Sequence, residues 1–391
     1  MRIALISQSY PPMISGVAEV VRRLARGLAG RGHDVLVVTA APTADVPGAI
    51  IPGADGVAMA LLPSLPNPFR VGQRFAAAPA GPVRRALAAF QPEVVHTHDP
   101  GPLGRAALRT ASGLGARRVL TAHQLPWFLS ASLPHRWRGV GRRLEAPAWA
   151  YARQVAALCE VVIAPSGTIA QVLGTHGIAA QPISNGIDLE RFTPHATSQE
   201  EAAALRRRLG LHTALPIVLH IGRLDRDKQP LRALEAAACA LRQAPGQLLV
   251  VGDGTERGRL ERAARGWSLR VPTRFTGYLT TELPAVYRLA RVAVSASEVE
   301  IQSTIALEAA ASGCPLVALD VGSMPEVVRN GETGWLAQPD DPDGLCAGLA
   351  HALTDAEEAA QRGRRARHLA EGHRLDATVR AHEQAYAARL T

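Results

Sequence analysis

Glu300 and Glu308, separated by seven residues in SASEVEIQSTIALEAAASGCPLVALD (295–320), are the pair whose type and spacing most directly suggest chemistry. If the chain turns helical near Ser303, Glu300 lies in the loop before the helix and Glu308 one to two turns inside it. Two glutamates at this spacing are by themselves ordinary solvated helix residues. Glu308, however, sits in LEAAASG, an otherwise uncharged stretch, and a carboxylate buried there requires a hydrogen-bonding partner. Ser303, Thr304 and Ile305 would bring hydroxyls and free backbone N–H groups to a positive helix end, which suits an anion.

LHIGRLDRDKQP (219–230) is a second such segment: Gly222 ends a strand, and Arg223 and Lys228 follow in the loop before a helix. Two cations at a strand end suit a diphosphate, Arg gripping two oxygens while Lys acts as a compact point charge. A surface loop carrying an Arg223–Asp225 pair would look the same. Lys228 is nevertheless unusual, because it is the one lysine among 43 basic residues.

Other segments carry weaker signals. Gly16, in PPMISGVAEVV, would let backbone approach a phosphate closely, although glycine before a helix is also a common cap. Gly252 and Gly254 in VGDGTERG permit close approach to a planar ring, without the G-x-G-x-x-G spacing of a dinucleotide fingerprint. His96 and His98 in VVHTHDP point to one side of a strand and could begin a metal site, but no further ligands follow at suitable spacing, and no metal is expected. His123 ends RVLTAH and should project into a cleft, unless it is a satisfied structural histidine.

These residues must be positioned by strands alternating with amphipathic helices. Strands are predicted over 2–7, 33–40, 93–98, 117–123 and 160–166, and a second series over 216–222, 247–254, 270–277, 291–297 and 314–320. Helices are predicted over 17–28, 230–243, 256–266, 281–289 and 304–312. Continuous β-branched runs suit parallel sheets covered on both faces. The pattern pauses around Asn185-Gly186, so the expected organisation is a first domain over 1–186, a linker over 187–200 and a second domain over 201–368. The segment 369–391 is expected as a C-terminal helix able to pack back on the first domain. The fold expected is α/β, with two doubly wound Rossmann-like domains facing one another across a ligand-binding cleft.

With 391 residues, 47% hydrophobic and 20% charged, the chain is too long for one ordinary core and too apolar for bulk disorder. No apolar run reaches the length of a membrane span, and the first residues read as a cytoplasmic start without a signal peptide. The four cysteines (Cys159, Cys239, Cys314, Cys346) lack C-x-x-C spacing and read as reduced core residues. Of the net charge of +9, residues 1–190 carry +8. Such a basic half attracts anionic lipid, phosphorylated substrates or nucleic acid, unless it merely reflects a compositional preference for arginine.

Taken in order, these pieces resemble the family 4 glycosyltransferases, retaining enzymes of the GT-B fold. The matching pieces are S-G-V at 15–17, Thr121-Ala122-His123, APS at 164–166, SNGIDLERF at 184–192, GRL with Lys228, VGDG, FTGYL, Glu300 with Glu308, and G-x-x-PE from Gly322 to Glu326. The resemblance implies that Gly222, Arg223 and Lys228 hold the diphosphate of a nucleotide sugar and stabilise the departing charge. It implies that Glu308 accepts from ribose hydroxyls and Glu300 from the donor sugar, with His123 beside that sugar. The amides of Gly16 and of Ser303–Ile305 would complete a phosphate cradle, and the base would stack near Gly252, Gly254, Tyr278 and Leu279. No cofactor or metal is implied, since protein cations and helix ends replace it.

The family's usual glycines after the first glutamate are replaced here by Ile301, Gln302 and Ser303. The E-x-Q-S version with T-x-H-x-x-P upstream is similar to members that glycosylate diacylglycerol-type lipids. The segment 128–154 interleaves Trp137, Trp149 and Tyr151 with Arg136, Arg138, Arg142, Arg143 and Arg153, as in an interfacial helix or one packed on its own domain. The expectation is therefore hexose transfer, with UDP-glucose favoured, to a hydroxyl acceptor such as a lipid at the inner membrane face. A soluble sugar acceptor, a GDP-mannose donor, a sugar-nucleotide epimerase, a phosphorylase or a non-catalytic basic surface-binding protein are the alternatives. Nucleic acid is not expected as a partner.

Overall fold

The computed structural model describes residues 1–43, 50–67, 73–127, 138–194, 198–266 and 272–388. Its chain forms two compact units, one drawn from residues 1–186 and from 375 onward, the other from Ile187–Arg374.

In the first unit the strands are β1 (Arg2–Ser7), β2 (Asp34–Ala40), β3 (Ile50–Pro52), β4 (Val57–Leu62), β5 (Ser64–Pro66), β6 (Arg74–Ala76), β7 (Val94–Thr97), β8 (Arg117–Thr121), β9 (Val161–Ala164) and β10 (Gln181–Pro182). Among the described residues the main sheet runs β10-β9-β8-β7-β1-β2-β4-β3, parallel except for β3, while β5 and β6 form a separate antiparallel pair. Strand order reverses between β1 and β7, a doubly wound topology. Val35, Val37, Leu36 and Val38 are buried on both faces of β2, which is why the strand reads as an unbroken apolar run. The C-terminal helix Leu375–Ala387 lies against the helix Gly16–Ala29, with Val379 filling the space beside Gly27.

The second unit contains β11 (Ile217–Ile221), β12 (Gln247–Val251), β13 (Thr273–Gly277), β14 (Val292–Ser295), β15 (Leu316–Leu319) and β16 (Gly334–Ala337). All are parallel in the order β13-β12-β11-β14-β15-β16, so the reversal falls between β11 and β14. The predicted strands and the helices Pro230–Gln243 and Thr304–Ala311 appear within a few residues of their expected limits. β4, β16 and the helices Gly344–Thr354 and Ala356–Glu371 are additional elements.

One sequence expectation is overturned. Cys239 and Cys346 are not reduced thiols but form a disulfide, leaving Cys159 and Cys314 free. The helices carrying Cys239 and Cys346 pack side by side, with Cα atoms 5.7 Å apart across a sequence separation of 107. A pairing so distant along the chain has no local spacing signal.

Candidate active site

The site in the second unit begins at the ends of the paired strands β11 and β14, where strand order reverses and a doubly wound sheet opens a crevice beyond its strand ends. Gly222 leaves β11 at φ +135°, and Gly252 leaves β12 at φ +137°. A Cβ on Gly252 would fall 1.9 Å from the Gly222 carbonyl oxygen, and one on Gly254 would fall 2.6 Å from the Leu224 carbonyl. These glycines therefore let two strand-end loops interlock, tied by N–H groups of Gly222 to Val251 O (3.0 Å) and Leu224 to Asp253 O (2.9 Å).

The interlocked loops hold the cations. Arg223 donates to Asp225 and, at 2.7 Å, to Asp227. Burial pulls the Arg223 pKa down, but Asp227 and Asp225 outweigh it and leave the guanidinium more firmly charged than usual. The arginine pair anticipated with Asp225 is thus a three-membered cluster. Lys228 donates from Nζ to Glu300 Oε1 at 2.8 Å and to Ser297 Oγ at 3.3 Å, joining the loop after β11 to the loop after β14.

Glu300 is 8% exposed and its backbone is closely approached by Gly322, where a Cβ would sit 2.1 Å from the Glu300 carbonyl. Gly322 at φ +53° is thus the glycine that permits this loop shape. The helix Thr304–Ala311 then starts with Ser303 as its cap, Oγ accepting from Ala306 N at 3.2 Å. Ile305 reaches back to Gly222, its Cδ1 lying 3.0 Å from the position a Cβ would take there. Glu308, five residues into the helix and 7% exposed, finds the partner its burial demands in Tyr287, whose hydroxyl lies 3.3 Å from Oε2.

Tyr278 and Leu279, taken together in the sequence, part company in the structure. Tyr278 is 41% exposed and donates to Asp253 O at 2.8 Å, whereas Leu279 packs against the core of the unit. Burial, with the nearby Asp225 charge, pushes the Tyr278 phenol up.

Gly16 and His123 belong to the first unit. Gly16 opens the helix that follows β1, with Ser15 capping through its bond from Ala18 N (3.0 Å). His123 follows β8 and is buried, its Nε2 lying 3.0 Å from Nδ1 of His98. His96 and His98 do share one side of the strand, their ring centroids 4.2 Å apart. Their partners are protein groups: His96 bonds Tyr386 OH and Thr121 Oγ1, both at 2.7 Å. Asp227, Ser297, Gly322 and His98 all lie in segments singled out in the sequence, but none of them was given a part in holding a nucleotide sugar.

Of the segment 128–154, residues 128–137, including Arg136 and Trp137, lie outside the described residues, as do the side chains of Arg138 and Arg142. Trp149 is buried and stacks on His176 at 3.6 Å, and Tyr151 donates to Pro100 O at 2.8 Å. These two aromatics face their own unit rather than an interface. Among the described residues no helix is long and apolar enough to cross a membrane.

Residues 14–191 match the family described as Glycosyltransferase Family 4, and residues 201–369 match Glycosyl transferases group 1. A glycogen synthase of Mycobacterium tuberculosis is 31% identical, the alignment covering 94% of this chain and 89% of that protein. A GDP-mannose-dependent alpha-mannosyltransferase of the same species is 32% identical over 86% of this chain and 83% of that protein. Among solved structures, the sucrose-phosphate synthase of Thermosynechococcus elongatus superposes with a TM-score of 0.80 at 23% identity, covering 98% of both chains, a likeness of fold.

Proposed function

Because this chain belongs to glycosyltransferase family 4, we propose that it moves a hexose from a nucleoside diphosphate sugar to a hydroxyl acceptor, retaining anomeric configuration and using no metal ion. The observation that carries the reading is Lys228 bonded to Glu300 across the ends of the paired strands β11 and β14, with Arg223, held by Asp225 and Asp227, in the same loop as Lys228. Two cations held there by carboxylates are positioned to take over a diphosphate as it leaves, which is where negative charge develops. Glu300 accepts from hydroxyls of the donor sugar and Glu308 from those of the ribose. Amides at the start of the helix Thr304–Ala311 complete the phosphate cradle of the second unit, while in the first unit the family resemblance offers Gly16 to phosphate and His123 to the transferred sugar. The base is proposed to stack beside the loop that Gly252 and Gly254 shape, with Tyr278 as its exposed ring and the partly buried Leu279 next to it.

UDP-glucose is the donor proposed first, with GDP-mannose as its rival because a relative of 32% identity is named for it. For the acceptor, the charge of +8 over residues 1–190 and the E-x-Q-S motif support a diacylglycerol-type lipid at an anionic surface. The inward packing of Trp149 and Tyr151 favours a second reading, a soluble sugar or polysaccharide acceptor.

The deciding experiment supplies the purified chain with labelled UDP-glucose or GDP-mannose, anionic vesicles containing diacylglycerol, a pool of soluble sugars and a metal chelator. Label in the organic phase supports the lipid acceptor, and label in aqueous sugars the second reading. Transfer abolished by the chelator would remove the metal-free mechanism, and no transfer from any nucleotide sugar would remove the assignment.

A further inference from the structure

The first unit contains a buried run of side chains that the proposed reaction leaves unexplained. His98 Nδ1 and His123 Nε2 face each other at 3.0 Å, with the two rings stacked at 5.2 Å. Behind them the His96 ring packs at a tilt against His98, centroids 4.2 Å apart, and the C-terminal helix supplies His382 and Tyr386 against His96. Burial holds His98 and His96 well below the ordinary imidazole range and His123 at about 3, so each ring is neutral at pH 7 and carries one proton.

Two neutral imidazole nitrogens at hydrogen-bond distance must share one proton, since neither two lone pairs nor two N–H groups can face each other. The direction follows from the far side of His98. Its Nε2 is buried with no hydrogen-bond partner among the described residues. Were the proton there, a buried donor would be left unmade; with the proton on Nδ1, only a lone pair goes unused, the less costly outcome.

We propose that His98 is a positioning residue, donating from Nδ1 to His123 Nε2 and thereby fixing His123 as the tautomer with its proton on Nδ1. His123 then presents a donor, not an acceptor, at its remaining ring nitrogen, suited to a hydroxyl or anomeric oxygen of a bound sugar. The catalytic consequence rests on the glycosyltransferase reading; the tautomer itself does not. His96, fixed from both sides by Tyr386 and Thr121, keeps the His98 ring from turning.

The test is long-range proton–nitrogen NMR on the full chain with labelled histidine, which distinguishes protonated from bare ring nitrogens without any substrate. The expected result is a His123 with protonated Nδ1 and bare Nε2; the opposite tautomer overturns the proposal. His98→Leu is expected to lower kcat about tenfold or more with little change in donor KM. His98→Asn, whose amide N–H can stand near the place of Nδ1–H, is expected to recover most of that loss. Wild-type kcat in His98→Leu would overturn the positioning role. Should His98→Leu not fold, the wild-type spectrum still decides the tautomer. Should no nucleotide sugar support transfer while the spectrum is as expected, the proposed function fails and the tautomer stands.

Discussion

Lys228 Nζ lies 2.8 Å from Glu300 Oε1, so the one lysine of the chain bridges two strand-end loops 72 residues apart. The pair is three-quarters buried at the lysine and more at the glutamate, where a charge without a partner would be costly. On the proposed function, a diphosphate entering beside Lys228 would share this ammonium with Glu300, and the contact would serve both to hold the loops and to receive the leaving group.

Replacing Lys228 by Ala should lower kcat by about 10²–10³, the usual loss when one preorganised group facing developing charge is removed. Lys228→Arg should recover little, because a planar fork does not replace a point charge held between Glu300 and Ser297. Initial rates of labelled hexose transfer check this, and full turnover by Lys228→Ala would contradict the assignment.

Arg223 is held by Asp225 and Asp227, two carboxylates that an incoming diphosphate must compete with. Asp227→Asn should therefore tighten nucleoside diphosphate binding at low salt by at least about two- to fivefold, the size of an exposed ion pair, since this pair is largely buried. Calorimetric titration measures it. Weaker binding would mean that Asp227 orients Arg223 rather than competing for it.

Acid should destabilise the first unit through its histidines. Burial holds His123 at about 3 and His382 at about 4, with His96 and His98 well below their ordinary value. In the unfolded chain these groups bind protons below about pH 6.5 while the folded chain does not, so stability is complete above that value and falls as pH drops below it. Urea midpoints between pH 7.5 and 5 should decline, and less so in His382→Gln. A flat profile would refute the buried neutral cluster.

Gly252→Ala should cost at least about 2 kcal/mol, since the added Cβ meets backbone at a φ that side chains disfavour. Gly113→Ala, at a helix end with nothing within 4 Å, is the control and should be near neutral. Equal urea midpoints for the two variants would mean that the strand-end loops are not interlocked.

Alkylation of the denatured, unreduced chain should label two cysteines, Cys159 and Cys314, and four after reduction. Four labels without reduction would remove the Cys239–Cys346 bond.

The sequence by itself determined the alternation of strands and helices and the place of Glu300 in a loop and Glu308 inside a helix. Those features are written in neighbouring residues: β-branched runs such as VLVV, the Ser303 cap, the uncharged LEAAASG around one glutamate. It also marked His96, His98 and Lys228 as residues to follow, because their types were unusual where they stood. Only the tertiary structure decided what each of them meets. Lys228 with Glu300, His98 with His123, Tyr386 with His96 and Cys239 with Cys346 are joined across 72, 25, 290 and 107 positions. The parting of Tyr278 from Leu279 was decided there too, since adjacent residues leaving a strand turn to opposite sides and only the packing around them says which side is core. A contact between distant segments depends on which helices lie side by side and how strands are ordered, and no local periodicity carries that information.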